Sequence, residues 1–269
     1  MQELPTLAQA EAVVLEGAHS RAVVHPIGAT VLSWAPHGDR DVLWVAPGAQ
    51  FVEGRAIRGG IPVCWPWFAD SGTPAHGLVR KRRWNLLDQG TDEGAAWAEW
   101  EVEHRDDNWH FSLNIRIEAG HRLSVALTHQ DRSGRACIVG GALHTYLQLD
   151  PTQASVRGLP SSGWDKLQNR SVAVTDPLPL MGPQDLVVPH RGSVTVEEGD
   201  RSLLIEGHHH HDVVVWNPGG ASVSDLAPGD EHAFACVESA IAKPEVTVLP
   251  HGDVAFGLQI GVSKRKTPP

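Results

Sequence analysis

The amino-acid sequence predicts an all-β fold, a large antiparallel β-sandwich. Apolar and polar residues alternate at period two in several segments, the pattern of strands with one buried face. Turn signals from 27 glycines and 19 prolines recur along the whole chain, as the short strands of a sandwich require. No segment keeps apolar residues at helical spacing beyond about two turns, so the helices of a βαβ fold are missing.

The elements follow in chain order. Short apolar runs predict strands at 12–15, 22–24 and 30–34. Residues 45–80 break the rhythm: Gly59, Gly60, Pro62, Pro66 and Pro74 predict a long loop, and Trp65, Trp67 and Phe68 predict that it is ordered. In "AAWAEWEVEH" Ala98, Trp100 and Val102 share one face of a half-buried strand. "HFSLNIRIE" and "RLSVALT" line up Phe111, Leu113, Ile115 and Ile117, then Leu123, Val125 and Leu127, across a hairpin in which Gly120 is free to take a positive φ. Further strands are expected at 194–196, 203–205, 213–216, 232–236, 246–249 and 254–260, and "SKRKTPP" at 263–269 reads as a solvated tail.

Of the 269 residues, 41% are hydrophobic and 20% charged, the balance of a soluble protein with a packed core rather than of a disordered chain. A single domain over 1–269 is expected, and a monomer. A net charge of -10 argues against nucleic-acid or anionic-membrane partners, which need an extended positive field. Cys64, Cys137 and Cys236 are odd in number and unpaired in spacing, which fits reduced thiols in the cytoplasm better than a disulfide framework or a CxxC metal site. The first residues lack the basic and apolar regions of a signal peptide, so a cytoplasmic location is expected.

Within this acidic chain, residues 55–84 hold six cations, Arg55, Arg58, Arg80, Lys81, Arg82 and Arg83, against one anion, Asp70. Guanidinium groups match phosphate or carboxylate oxygens, and Gly59 and Gly60 let backbone approach an anion, so the window suits a phosphate on a small ligand. His144, in "GGALHTYLQLD", is read as lying in a strand. Glu238 follows the apolar run "HAFACV", where an ionisable group is costly to desolvate unless it is paired or used. The histidines of 208–211 are read as a polar turn, because neighbouring strand side chains alternate faces and cannot converge on one ion.

"IRGGIPVCWPWF", "AHGLVRKRRW", "ALHTYL", "GWDK", "VVVWNP" and "CVESAI" occur in this order over roughly residues 20–262. In this the chain resembles the hexose-6-phosphate mutarotases (glucose-6-phosphate 1-epimerases) of the aldose 1-epimerase superfamily. The resemblance implies a galactose mutarotase-like supersandwich that acts on a sugar phosphate with no cofactor and no metal. It implies His144 and Glu238 as the catalytic pair, His76 and Asp165 as sugar-binding residues, and Arg58 and Arg80 as phosphate ligands assisted by Arg82. Two positions depart from the family pattern: Gly163 stands where tyrosine is common before Asp165, and Leu78 follows "HG" in place of an aromatic residue. A reference pKa of ~4.3 leaves Glu238 ionised as the expected base, and His144, at a reference ~6.5, is expected as the acid where a nearby carboxylate supports its charge. Two other readings stand beside this one: a non-catalytic carbohydrate-binding sandwich using the ten tryptophans, and an epimerase of unphosphorylated aldoses.

Overall fold

The computed structural model describes residues 11–264; the first residues and most of the "SKRKTPP" tail read above lie outside the described residues. The described chain begins with β1 (Val13–Glu16), β2 (Ser20–His25), β3 (Thr30–Pro36) and β4 (Val63–Cys64). Next come β5 (Asn85–Asp92), β6 (Ala95–Arg105), β7 (His110–Ala119), β8 (Arg122–Asp131), β9 (Cys137–Leu143) and β10 (Tyr146–Gln148). Shorter strands follow: β11 (Ala154–Arg157), β12 (Ser162–Asp165), β13 (Arg170–Ala173), β14 (Leu178–Pro179) and β15 (Gln184–Pro189). The last are β16 (Val194–Glu198), β17 (Arg201–His208), β18 (Asp212–Asn217), β19 (Phe234–Val248) and β20 (Asp253–Lys264).

These strands form an all-β, antiparallel sandwich. A nine-stranded sheet runs β14-β11-β16-β17-β20-β8-β7-β6-β5, and an eight-stranded sheet runs β13-β12-β15-β18-β19-β9-β4 with β10 paired to β19. β1, β2 and β3 make a third, small sheet. Period-two alternation gives the nine-stranded sheet apolar rows such as Ala98–Ile117–Val125–Leu258, each residue directly opposite the next. These rows join Leu186, Val188, Val213, Val215, Val237 and Ile241 of the eight-stranded sheet in one buried cluster. Hydrophobic burial between the two sheets therefore fixes which face of each strand points inward. No helix among the described residues is long and apolar enough to cross a membrane.

Several local expectations change. Gly120 does close the β7–β8 hairpin, with its N–H donating to the Arg122 carbonyl at 3.0 Å, but its φ is not positive. The two strands expected at 232–236 and 246–249 are one, β19, whose pairing with β9 shifts register between Ile241 and Val246. His232 lies before it in a single turn of 3-10 helix. His144 is not inside a strand. It occupies the two-residue break between β9 and β10, and its N–H donates to the Pro62 carbonyl at 3.0 Å. In the histidine tract His208 ends β17 and 209–211 turn into β18, with His210 turned inward against Ser239 Oγ at 2.9 Å.

Candidate active site

Because β19 alternates, Val237 joins the core and Glu238 points to the opposite, outer face of the eight-stranded sheet. The strand register extends that face. One row reads Trp164–Val187–Val214–Glu238, and the next reads Asp185–Trp216–Cys236–Tyr146. Phe68 and Ala69 of the 45–80 loop pack on this face against Val187, Val214 and Ala240. The outer face is thus a walled cleft floor that carries charges and aromatic rings where the inner face is mainly apolar.

At its centre His144 Nδ1 and Glu238 Oε1 are 3.4 Å apart, and both side chains are buried. Neither Nδ1 nor either Glu238 oxygen has a hydrogen-bond partner among the described residues. The His144 ring stacks on Tyr146 at 4.7 Å and meets the edge of Trp216 at 5.9 Å, which fixes its plane. Burial pushes the Glu238 carboxyl well above its ordinary range, with Asp185 adding to the effect. Burial also pushes the His144 imidazole well below its ordinary range, with the cationic neighbours Arg58 and Arg80 acting in the same direction. Both shifts favour neutral imidazole beside neutral carboxyl over the ion pair expected above.

His76 enters from the loop with its ring 5.5 Å from that of His144. Its φ of 62° is a left-handed conformation that a non-glycine residue adopts at a cost on the order of 1 kcal/mol. The neighbouring chain holds it there: Gly77, at φ 80°, lies so close to Trp65 that a Cβ would come within 2.0 Å of the Trp65 carbonyl oxygen. Burial and the Arg80 charge push the His76 imidazole down to about 3, so it is neutral near neutral pH. Its Nδ1 lies 3.4 Å from the Cys64 sulfur, a thiol that burial pushes up to about 12.

The cations of 55–84 disperse. Arg58 reaches the cleft, donating to the Tyr146 hydroxyl at 2.6 Å, pairing with Asp225, and resting 5.9 Å from the Trp216 ring centre. Arg80 donates to the Ala75 carbonyl at 3.3 Å and keeps its buried Nε without a partner among the described residues. Arg82 is not brought to the site, since it donates to the Glu103 carbonyl and to His104 at 2.9 and 3.1 Å. Arg83 pairs with Glu11. Gly59 and Gly60 serve close backbone packing, where added Cβ atoms would meet Trp44 and Val31 carbonyl oxygens at 2.4 and 2.2 Å. The Gly60 N–H is already taken by the Trp44 carbonyl.

Asp165 also stays away from the pair. It pairs with Leu186 in the inward-facing row, and its oxygens accept the Leu167 and Gln168 N–H groups and the Gln168 amide. Its neighbours in sequence, Trp164 and Lys166, face the cleft instead. Lys166 Nζ lies 3.6 Å from Asp185 and 5.9 Å from the Phe68 ring centre, and its charge draws the Glu238 carboxyl back toward ionisation. A groove of about 640 Å³ is lined in part by Phe68, Trp164, Lys166 and Ala242. Lys166, Asp185, Tyr146 and Trp216 had no assigned role from sequence; only strand register, which pairs residues far apart in the chain, puts them on one face.

A family model described as aldose 1-epimerase matches residues 11–256. A relative from Escherichia coli (strain K12), provisionally named glucose-6-phosphate 1-epimerase, is 32% identical over 255 residues, 88% of this chain and 85% of that protein. The crystal structure of a provisionally named mutarotase from Salmonella typhimurium superposes with a TM-score of 0.87 at 28% identity, covering 94% of this chain and 90% of that one. A galactose mutarotase-like protein from Clostridium acetobutylicum shares the fold, with a TM-score of 0.74 at 12% identity over 94% of this chain and 95% of its own.

Proposed function

The chain belongs to the aldose 1-epimerase family and is an isomerase of that kind, and from this premise we propose that it interconverts the α and β anomers of a hexose 6-phosphate. Glucose 6-phosphate is the first substrate to test. The observation that carries the reading is the buried His144–Glu238 contact of 3.4 Å, unsatisfied by any other described residue and set in a cleft that Arg58 and Arg80 make positive.

Anomer exchange needs ring opening, rotation about the C1–C2 bond and closure from the other face. Opening removes the proton of the anomeric hydroxyl and supplies one to the ring oxygen. Glu238 is assigned the first task and His144 the second, and closure reverses them. The imidazolium–carboxylate form and the neutral form of the pair are tautomers with the same proton count, so the cycle draws no proton from solvent. Two features of a bound substrate favour the ionic form. Sugar hydroxyls donating to Glu238 stabilise its carboxylate. A phosphate dianion on Arg58 and Arg80 offsets the positive field that holds His144 deprotonated. Neutral His76 can then hydrogen-bond the oxygen of the open-chain aldehyde without adding charge.

The Arg58–Asp225 ion pair supports a second reading, in which the guanidinium is structural and the substrate is an unphosphorylated aldose. Arg58→Ala separates the two. The first reading expects KM to rise for glucose 6-phosphate and not for glucose; equal changes on both substrates favour the second.

A further inference from the structure

The donors at the centre of the cleft also meet the requirements of a metal site, a property that anomer exchange does not use. His144, Cys236 and Glu238 bring a ring nitrogen, a sulfur and a carboxylate oxygen within 4.8 Å of one another. All three are more than nine-tenths buried, at 6%, 0% and 1% exposure. Cys236 sits two residues before Glu238 on the same strand and so on the same face. His144 Nδ1 and both Glu238 oxygens lack hydrogen-bond partners among the described residues, so their lone pairs are not committed elsewhere. Two ligands at ~2.0–2.1 Å from a tetrahedral ion lie about 3.3–3.4 Å apart. The Nδ1···Oε1 separation is 3.4 Å. Bringing the sulfur to its tetrahedral distance needs a movement on the order of an ångström, within reach of side-chain torsions.

We propose that His144, Cys236 and Glu238 form a binding site for a borderline-soft divalent cation of the zinc class, which competes with the sugar for the catalytic pair. The donor set selects the ion. One nitrogen, one sulfur and one oxygen suit zinc or cadmium, whereas magnesium and calcium require six or more oxygen ligands. The bound state is neutral at its ligands: the Cys236 thiol and the Glu238 carboxyl each release a proton to solvent, and a thiolate, a carboxylate and a dication sum to zero. The same donors cannot hold the ion and exchange protons with a hemiacetal, so occupancy stops turnover.

The test titrates metal-free protein with cadmium, zinc and magnesium, reading cadmium–thiolate absorption in the near ultraviolet and, separately, anomer exchange. The expected result has three parts. Cadmium gives a thiolate band that excess glucose 6-phosphate suppresses; zinc raises the apparent KM without lowering kcat; magnesium does neither. Cys236→Ala loses the band and, measured against its own metal-free rate, weakens zinc inhibition by at least the roughly 10–100-fold that loss of a supporting residue costs a metal site. The proposal is overturned by a missing band in the wild type, by a band unchanged in Cys236→Ala, which would assign it to Cys64 or Cys137, or by zinc inhibition that this variant does not weaken. If Cys236→Ala fails to fold, Cys236→Ser replaces it, with the band again expected to shrink and an unchanged band again fatal. The absorption readout needs no activity, so failure of the epimerase reading and failure of the metal site remain distinguishable.

Discussion

The two faces of the eight-stranded sheet are made from the same strands, often from adjacent residues, yet they follow opposite rules. On the inner face Leu186, Val215 and Val237 stand in register and pack into the shared core. One position away, the outer face presents Asp185, Trp216, Cys236 and Glu238, with buried polar atoms that nothing among the described residues satisfies. An unpaired buried polar group costs about 1–3 kcal/mol, so the outer face is a standing destabilisation that the inner face offsets. Stability and chemistry are thus separated by the two-residue period of a strand, and substitutions on the two faces should have opposite signatures.

The largest expected effect is at Glu238. Glu238→Gln keeps shape and removes the base, so kcat for anomer exchange should fall by about 10²–10⁴-fold while the urea midpoint stays level or rises. Retained turnover, or a fall in stability comparable to that of a core change, would erase the contrast. Leu186→Ala should do the reverse, losing roughly 2–5 kcal/mol in urea unfolding with kcat preserved where the protein is folded. Arg58→Ala sharpens the comparison within the cleft itself: losing a charged hydrogen bond of about 1.5–3 kcal/mol predicts a KM for glucose 6-phosphate higher by roughly 10–150-fold, read by steady-state kinetics.

The smallest effect is on pH dependence. Burial lowers the imidazoles of His25, His76, His129, His144 and His210, with His76 pushed down to about 3 and His129 to about 4. The unfolded chain takes up these protons below its reference value of ~6.5 while the folded chain does not, so stability should decline as pH falls from about 6.5 toward 4. The raised carboxyls of Glu238 and Asp185 act oppositely, since the folded chain keeps protons that the unfolded chain loses as pH rises. With five lowered histidines set against two raised carboxyls, the acid decline is the expected net direction. Glu238→Gln should therefore steepen the acid decline; an unfolding midpoint flat between pH 7 and 5 in that variant would contradict the balance.

Much of the fold was legible because burial on one face writes itself as period two. The strands Ala95–Arg105, His110–Ala119 and Arg122–Asp131 read directly for that reason. Val63–Cys64, Ala154–Arg157 and Leu178–Pro179 are too short to show a period and were missed. Phe234–Val248 read as two strands, while the structure carries the chain through "AKPE" as one strand with a register shift. In the site, Glu238 was visible as a charge in an apolar run, and His144 through its motif. Lys166 and Asp165 were not separable from sequence, because one residue of register decides which of them faces the cleft. Arg82 read as assisting Arg80 at the phosphate, yet hydrogen bonds to the nine-stranded sheet turn it away.

The most direct test is NMR magnetisation exchange between the α and β anomers of glucose 6-phosphate and of glucose, run with wild-type protein and with Glu238→Gln. The His144–Glu238 account predicts that the wild type speeds exchange of the phosphorylated sugar well beyond that of glucose, and that Glu238→Gln binds the phosphate ester yet leaves its exchange near the spontaneous rate. Wild-type exchange rates in the glutamine variant would contradict it.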